Sequence, residues 1–249
     1  MGKPSYTPLA VTNKTYASAK VPSTITIGVG VAQWSDLGGI GNLTQASGGA
    51  QPVYNLIGQD GQPSLQFDGV NDNLQRVNYS VGAFTRYFVV KTNASNFLFS
   101  NGSDYIWTGS GSTFEVTRTP VVTALISGKN LPAGWLNNDK TKIVTWVFDG
   151  AHAGHQVYVN GVLKVSTTNG GNSSNPGTGN VTGQTATLMS RGASGYLAGF
   201  CSAFIDRDFA DSPTQIMKDS IYLIKEHCPN ARFDNNGRPI LDANQDLTY

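Results

Sequence analysis

From Val31 almost to Phe209 the chain is a succession of short runs in which apolar and polar residues alternate, separated by glycine, asparagine, aspartate or serine. Alternation of period two marks a strand with one face on a core, and turn residues at such short intervals leave no room for crossover helices. The clearest runs cover residues 64–67, 84–91, 96–100, 113–118, 142–148, 156–160, 162–166, 186–190 and 199–206. This pattern predicts an all-β sandwich. Its strongest local signal is HQVYVNGVLKVSTT, residues 155–168. There Asn160-Gly161 is the preferred two-residue type I′ hairpin turn, with β-branched residues on both sides.

The ends read differently. Residues 1–30 carry Pro4, Pro8 and Pro22 among Thr, Ser and Ala, with only Val21 and Ile25-Thr26-Ile27 strand-like. They are expected to form an extended arm that orders against a partner subunit. The sandwich is expected over residues 31–229, and residues 230–249 read as a tail. Residues 169–183, NGGNSSNPGTGNVTG, form a long loop without core residues. One short helix is expected after the last strand. Asp211-Ser212-Pro213 supplies a cap and a proline for the first turn, Ile216, Met217, Ile221, Leu223 and Ile224 supply an apolar face, and Cys228-Pro229 ends it.

Composition removes several function classes. Hydrophobic residues at 39% against 13% charged suit a folded core rather than disorder. The net charge is +1 and the basic residues do not cluster, so the counterion-displacing stripe needed for nucleic acid is missing. No apolar run is long enough for a membrane helix. The N-terminal MGKPSYTPLAV has no apolar core of a secretory signal, which predicts a protein that stays in the cytoplasm or leaves it by assembly into a particle. Cys201 and Cys228 read as two small buried hydrophobes.

Catalytic constellations are sparse. Retaining glycoside hydrolysis needs two carboxylates about 5 Å apart. The chain has only two glutamates, Glu115 and Glu226, in unrelated segments. Asp206 and Asp208 share a face by alternation and read as exposed strand-end residues. His152 and His155 in DGAHAGHQ read as a solvated loop, and His227 as a cation at a helix end. Asp242, Asn244 and Asp246 mimic the start of a calcium loop, but Leu247 stands where glycine is required. The chain is therefore expected not to be an enzyme.

Binding chemistry is better represented. A sugar lays its C–H face on an aromatic ring while amides and carboxylates take its hydroxyls. Trp34 and Trp146 read as core, whereas Trp107 and Trp135 adjoin polar segments. The ligand-binding candidates are Asp104, Tyr105, Trp107, Trp135, Asn137 and Asn138, expected on loops. Asp68, Asn71 and Asp72 in DGVND suit turn stabilisation, and their oxygens also suit calcium as a cofactor.

Four segments occur in a telling order: WSDLGGIGNLTQ from Trp34, LQFDGVNDNLQ from Leu65, the Asn160-Gly161 hairpin, and YLAGFCSAFIDRDF from Tyr196 followed by the helix. Together they resemble laminin-G-like (concanavalin A-like) jelly-roll domains of the kind carried by bacteriophage virion proteins of the tail, fibre or capsid surface. The chain departs from that pattern where many members carry Glu, since Ser202 and Ala203 stand there. The resemblance implies a jelly-roll β-sandwich in a non-enzymatic virion surface protein. Other virion proteins and further copies of the chain would be its partners, and a host or environmental carbohydrate its ligand. A free-standing carbohydrate-binding module, and behind it a polysaccharide-degrading enzyme, are the alternatives.

Overall fold

The structure is a computed structural model and describes residues 15–37, 41–101, 104–108, 114–118, 124–127, 138–150, 155–166, 181–192 and 194–249. Seventeen strands lie among these residues. They are β1 (Thr15–Ser18), β2 (Ile25–Ile27), β3 (Val31–Trp34), β4 (Leu43–Thr44), β5 (Val53–Gln59), β6 (Gln62–Asp68), β7 (Leu74–Val81), β8 (Phe84–Lys91) and β9 (Phe97–Ser100). β10 (Asp104–Thr108), β11 (Phe114–Arg118), β12 (Ala124–Ser127), β13 (Lys142–Phe148), β14 (His155–Val159), β15 (Val162–Ser166), β16 (Val181–Leu188) and β17 (Ala198–Arg207) follow, before the helix α1 (Pro213–His227).

The strands form two antiparallel sheets, the layers of a jelly-roll sandwich. One sheet runs β15-β14-β13-β8-β17-β6-β5, with β1 added beside β17; the other runs β12-β11-β10-β9-β16-β7-β4-β3-β2. β17 lies against β8 along its length. Its other side is shared: Ala198 to Cys201 pair with β6, and Ala203 to Asp206 pair with β1. A register shift between Cys201 and Ala203 accompanies this change of partner.

Alternation in the central strands is apolar on both faces, because both faces are covered. Phe84, Phe88 and Val90 of β8 and Val144, Trp146 and Phe148 of β13 point into the core between the sheets. Their neighbours Tyr87, Val89, Ile143 and Val147 point outward, under Ile216, Leu223 and Ile224 of α1. The two tryptophans expected in the core, Trp34 and Trp146, are both fully buried. Cys201 and Cys228 are free and buried, and they belong to the two different cores, so the sheet itself keeps them apart.

The hairpin turns as its sequence requires: Asn160 and Gly161 have φ of 52° and 82°. The helix begins at the expected cap, where the Ser212 hydroxyl accepts the Gln215 N–H. In the WSD segment Asp36 is a staple. Its two carboxylate oxygens accept the N–H groups of Tyr16 (2.7 Å) and Gly41 (3.0 Å), tying β1 to the β3–β4 connection.

Two expected boundaries differ. From Thr15 onward the segment assigned to an extended arm is part of the sandwich, through β1 on β17 and β2 on β3. Pieces as short as TYAS and ITI cannot build a core, but they complete a sheet edge of their own chain; residues 1–14 lie outside the described residues. The tail also packs home. Leu247 is buried, Leu241, Phe233 and Ala231 pack against the outer core, and Asn160 Nδ2 donates to the Gln245 carbonyl at 3.1 Å.

Candidate functional site

The ends of β6, β8 and β17 build an open cleft of about 260 Å³. Phe200 pairs in register with Gln66 on one side and Lys91 on the other, so these three side chains form a row on one face of the sheet. Thr92, Asn93 and Asp139 continue the wall. The site is held by backbone. Thr92 Oγ1 donates to the Ala198 carbonyl (2.6 Å) and accepts the Ala94 N–H (3.0 Å), and the Asp139 N–H donates to the Thr92 carbonyl (3.1 Å). Gly199 sits at φ 149°, and a Cβ there would lie 2.5 Å from the Lys91 carbonyl oxygen. Only glycine lets the two strands approach this closely.

Asp68, which lines the cleft beside Phe67, opens a turn that runs to Asp72. Asp68 Oδ1 accepts the N–H groups of Val70, Asn71 and Asp72, and Asp72 Oδ2 accepts the Asp68 N–H at 2.9 Å. Burial pushes the Asp68 carboxyl up, but these donors outweigh it and hold it below the usual carboxylate range. Burial dominates at Asp72, whose carboxyl rises to about 6. The turn therefore uses one oxygen of each carboxylate, Asp68 Oδ1 and Asp72 Oδ2, on its own amides. Among the described residues no three His, Cys, Asp or Glu side chains converge as metal ligands.

The other sequence candidates are dispersed. Asp104, Tyr105 and Trp107 stand in β10, paired with β9 and β11, and not on a loop as expected. The aspartate, serine and glycine around them suggested a loop, but cross-strand pairing overrides weak local propensity. Trp135 and Asn137 lie outside the described residues. Asn138 is exposed, with its amide end on Lys142 and Asp246.

Two charged clusters escaped the sequence reading. Asp206, expected to be exposed beside Asp208, is fully buried between the sheets, 3.2 Å from Arg86 Nε, and accepts the Tyr79 hydroxyl at 2.8 Å. The Arg86 guanidinium lies over the rings of Phe84 and Phe99, 3.7 and 4.4 Å from their centroids. On the other face, Arg207 bonds Asp211 and also Asp219 of α1 (2.6 Å), while Tyr87 donates to Asp211 at 2.7 Å. A single fact explains both: beyond the register shift, odd and even positions of β17 face different cores, so Asp206 and Arg207 each need a partner on their own side. An apolar strand interrupted by adjacent opposite charges was the available signal.

The histidines are corrected as well. His155 is buried in β14, where Nδ1 accepts the Trp146 indole N–H at 3.1 Å and the ring stacks on Phe148; His152 lies outside the described residues. His227 is buried, and burial lowers its pKa to about 3, so it is not the expected helix-end cation. Asp242 Oδ1 caps its own turn by accepting the N–H groups of Asn244 and Asp246, so the calcium-loop look-alike is an Asx turn. Glu226 of α1 pairs with Lys20 at 3.8 Å, while Glu115 is in β11 of the other sheet.

No family model matches the chain, and no curated protein does. Solved structures do. Domain 4 of AbnA, a GH43 extracellular arabinanase from Geobacillus stearothermophilus solved with arabinotriose, matches with a TM-score of 0.58 at 16% identity, over 84% of this chain and 98% of that one. The binding domain of Paraclostridial Mosquitocidal Protein 1 matches with a TM-score of 0.59 at 13% identity, over 94% and 57%. Trypanosoma rangeli sialidase matches with a TM-score of 0.56 at 11% identity, over 85% of this chain and 32% of the enzyme, so the chain spans about a third of that protein. At these identities the likeness is one of fold, and it places the chain among jelly-roll β-sandwich domains.

Proposed function

We propose that the chain is a non-catalytic sandwich that binds carbohydrate and serves at the surface of a bacteriophage particle. The observation that carries the binding reading is the cleft. It sets the Phe200 ring among an ammonium (Lys91), an amide (Asn93) and carboxylates (Asp68, Asp139), the combination that takes a sugar's C–H face and hydroxyls together. Lys91 is paired with Asp60 at 3.3 Å, so the cleft offers little net positive charge and suits a neutral saccharide better than an acidic one. Of the two carboxylates in the cleft, Asp68 is held by three N–H groups of its own turn on Oδ1, which suits a fixed hydrogen-bond acceptor and favours binding over hydrolysis. The virion setting rests on the laminin-G-like motifs.

A second reading is a carbohydrate-binding module within a larger protein. The match over 98% of a discrete domain of an arabinanase favours it. A glycan array with the purified chain tests the shared core of both readings. Asn93 is exposed, so Asn93→Ala leaves folding intact and should weaken a cleft-bound glycan about 3- to 10-fold, the worth of one or two hydrogen bonds. Binding to no glycan, or binding indifferent to Asn93→Ala and Phe200→Ala alike, refutes the cleft as a sugar site. Mass spectrometry of purified particles separates the virion setting from the module.

A further inference from the structure

Where the tail returns to the start of β13, three side chains meet that are more than an ion pair. Lys142 and Asp246 are each only 1% exposed. Lys142 Nζ donates to Asp246 Oδ1 and also to Asn138 Oδ1 at 2.8 Å, and Asn138 Nδ2 donates to Asp246 Oδ2 at 2.8 Å. Asp246 thus bridges an amine and the nitrogen of a carboxamide, while the amine touches that carboxamide's oxygen. With a C=O bond of about 1.2 Å, Asn138 Cγ lies no further than about 4 Å from Nζ, close to the ~3–3.5 Å of a reactive approach.

We propose that Lys142 and Asn138 condense into an internal amide, with Asp246 as the proton carrier. Asp246 Oδ1 takes a proton from the Lys142 ammonium, and the freed lone pair attacks Asn138 Cγ to form the new C–N bond. The Cγ–Nδ2 bond breaks as Asp246 returns a proton to Nδ2. The nitrogen leaves as ammonium with the second amine proton, and Asp246 is again a carboxylate. Atoms and charge balance without any oxidant or co-reactant. The surroundings favour the first step: burial holds the Lys142 ammonium below its ordinary value in spite of Asp246. They also fit the product, because Lys140 Nζ lies 3.1 Å from Asp246 and keeps its carboxylate paired once Lys142 is neutral. Lys140 is shared between Asp246 and Asp242, the latter at 3.3 Å, so the cluster of two lysines and two aspartates is neutral before the condensation.

Peptide mapping of the denatured full chain is the test. The expected result is a peptide lighter by one ammonia, uncut by trypsin after Lys142, with fragment ions joining Lys142 to Asn138. In Asp246→Asn and Lys142→Arg the ammonia should be retained. A chain with full mass and normal cleavage after Lys142 overturns the proposal. So does loss of ammonia with Lys142 still cleaved, which is asparagine cyclising on its own backbone. Loss of water, joining Lys142 to Asp246, overturns the assignment to Asn138, and persistence of the amide in Asp246→Asn overturns the role of Asp246.

Discussion

Arg86→Met should be among the most damaging substitutions in the sandwich. Arg86 is fully buried between the sheets, and its guanidinium and the Tyr79 hydroxyl converge on one oxygen of Asp206. Methionine keeps the aliphatic stem and removes the charge, stranding Asp206 in a core of aromatic rings. Arg76 is 3.9 Å from the other carboxylate oxygen and sits nearer the solvent, so it offsets little. Breaking a buried pair from one side costs about 3–5 kcal/mol. At about 2–4 °C per kcal/mol for a domain of this size, Tm should fall by roughly 6–20 °C. Urea denaturation at neutral pH, with the slope checked for two-state behaviour, gives the free energy directly. The companion is the triple variant Arg86→Met, Asp206→Leu, Tyr79→Phe, which removes the buried polar trio together, leaves Arg76 its bond to Thr15, and should recover to within about 2 kcal/mol of the parent. A loss below about 1 kcal/mol for Arg86→Met, or a triple variant as unstable as the sum of its parts, would refute the reasoning.

Asp72 gives a pH signature. Its folded pKa of about 6 is raised above the unfolded value of about 4, so its favourable contribution is complete below about pH 4 and is lost as pH rises through 6. Asp72→Asn should flatten the stability profile over that window, and an unchanged slope in paired urea titrations counts against the assignment. Gly199→Ala should cost about 1–3 kcal/mol through backbone strain, and more if β17 must part from β8; a neutral result in thermal melts means the close approach to Lys91 is relaxed in solution. Because Asp68 Oδ1 and Asp72 Oδ2 are taken by N–H groups of the turn and no third acidic side chain joins them among the described residues, millimolar calcium should leave Tm unchanged. A concentration-dependent rise, removed by chelator, would reveal a site there.

Much of the frame was legible. β8, β13 and β15 begin and end where alternation and turn residues place them, because each is set by its own side chains. The hairpin at Asn160-Gly161 and the cap at Ser212 are equally local. What escaped was decided at a distance. TYAS becomes a strand because β17 offers it an edge, and DYIWT because β9 and β11 flank it, neither of which is written in those residues. Asp219 sits within the helix's buried stripe, where a sequence reader looks for leucine; its presence makes sense only with Arg207 beneath it. The cleft was half visible, since Asp68 of DGVND and the glycine before FCSAFI both line it. Their meeting with Lys91, Asn93 and Asp139 follows from strand order, which no single segment carries.

β17 is both the last strand of the two sheets in chain order and a central strand of its own sheet. Every ladder it makes closes a loop of more than 100 residues, the tightest running from Phe200 back to Lys91. Until it arrives, β6 and β8 lack the strand that joins them, β1 lacks its partner, and hydrophobic strands present open hydrogen-bonding edges. Such a topology folds on the millisecond-to-second scale rather than faster, and only once β17 is available. The eight-stranded sheet is therefore assembled by its final strand, and during that interval its vacant slot can accept β17 from a neighbouring chain as well as its own.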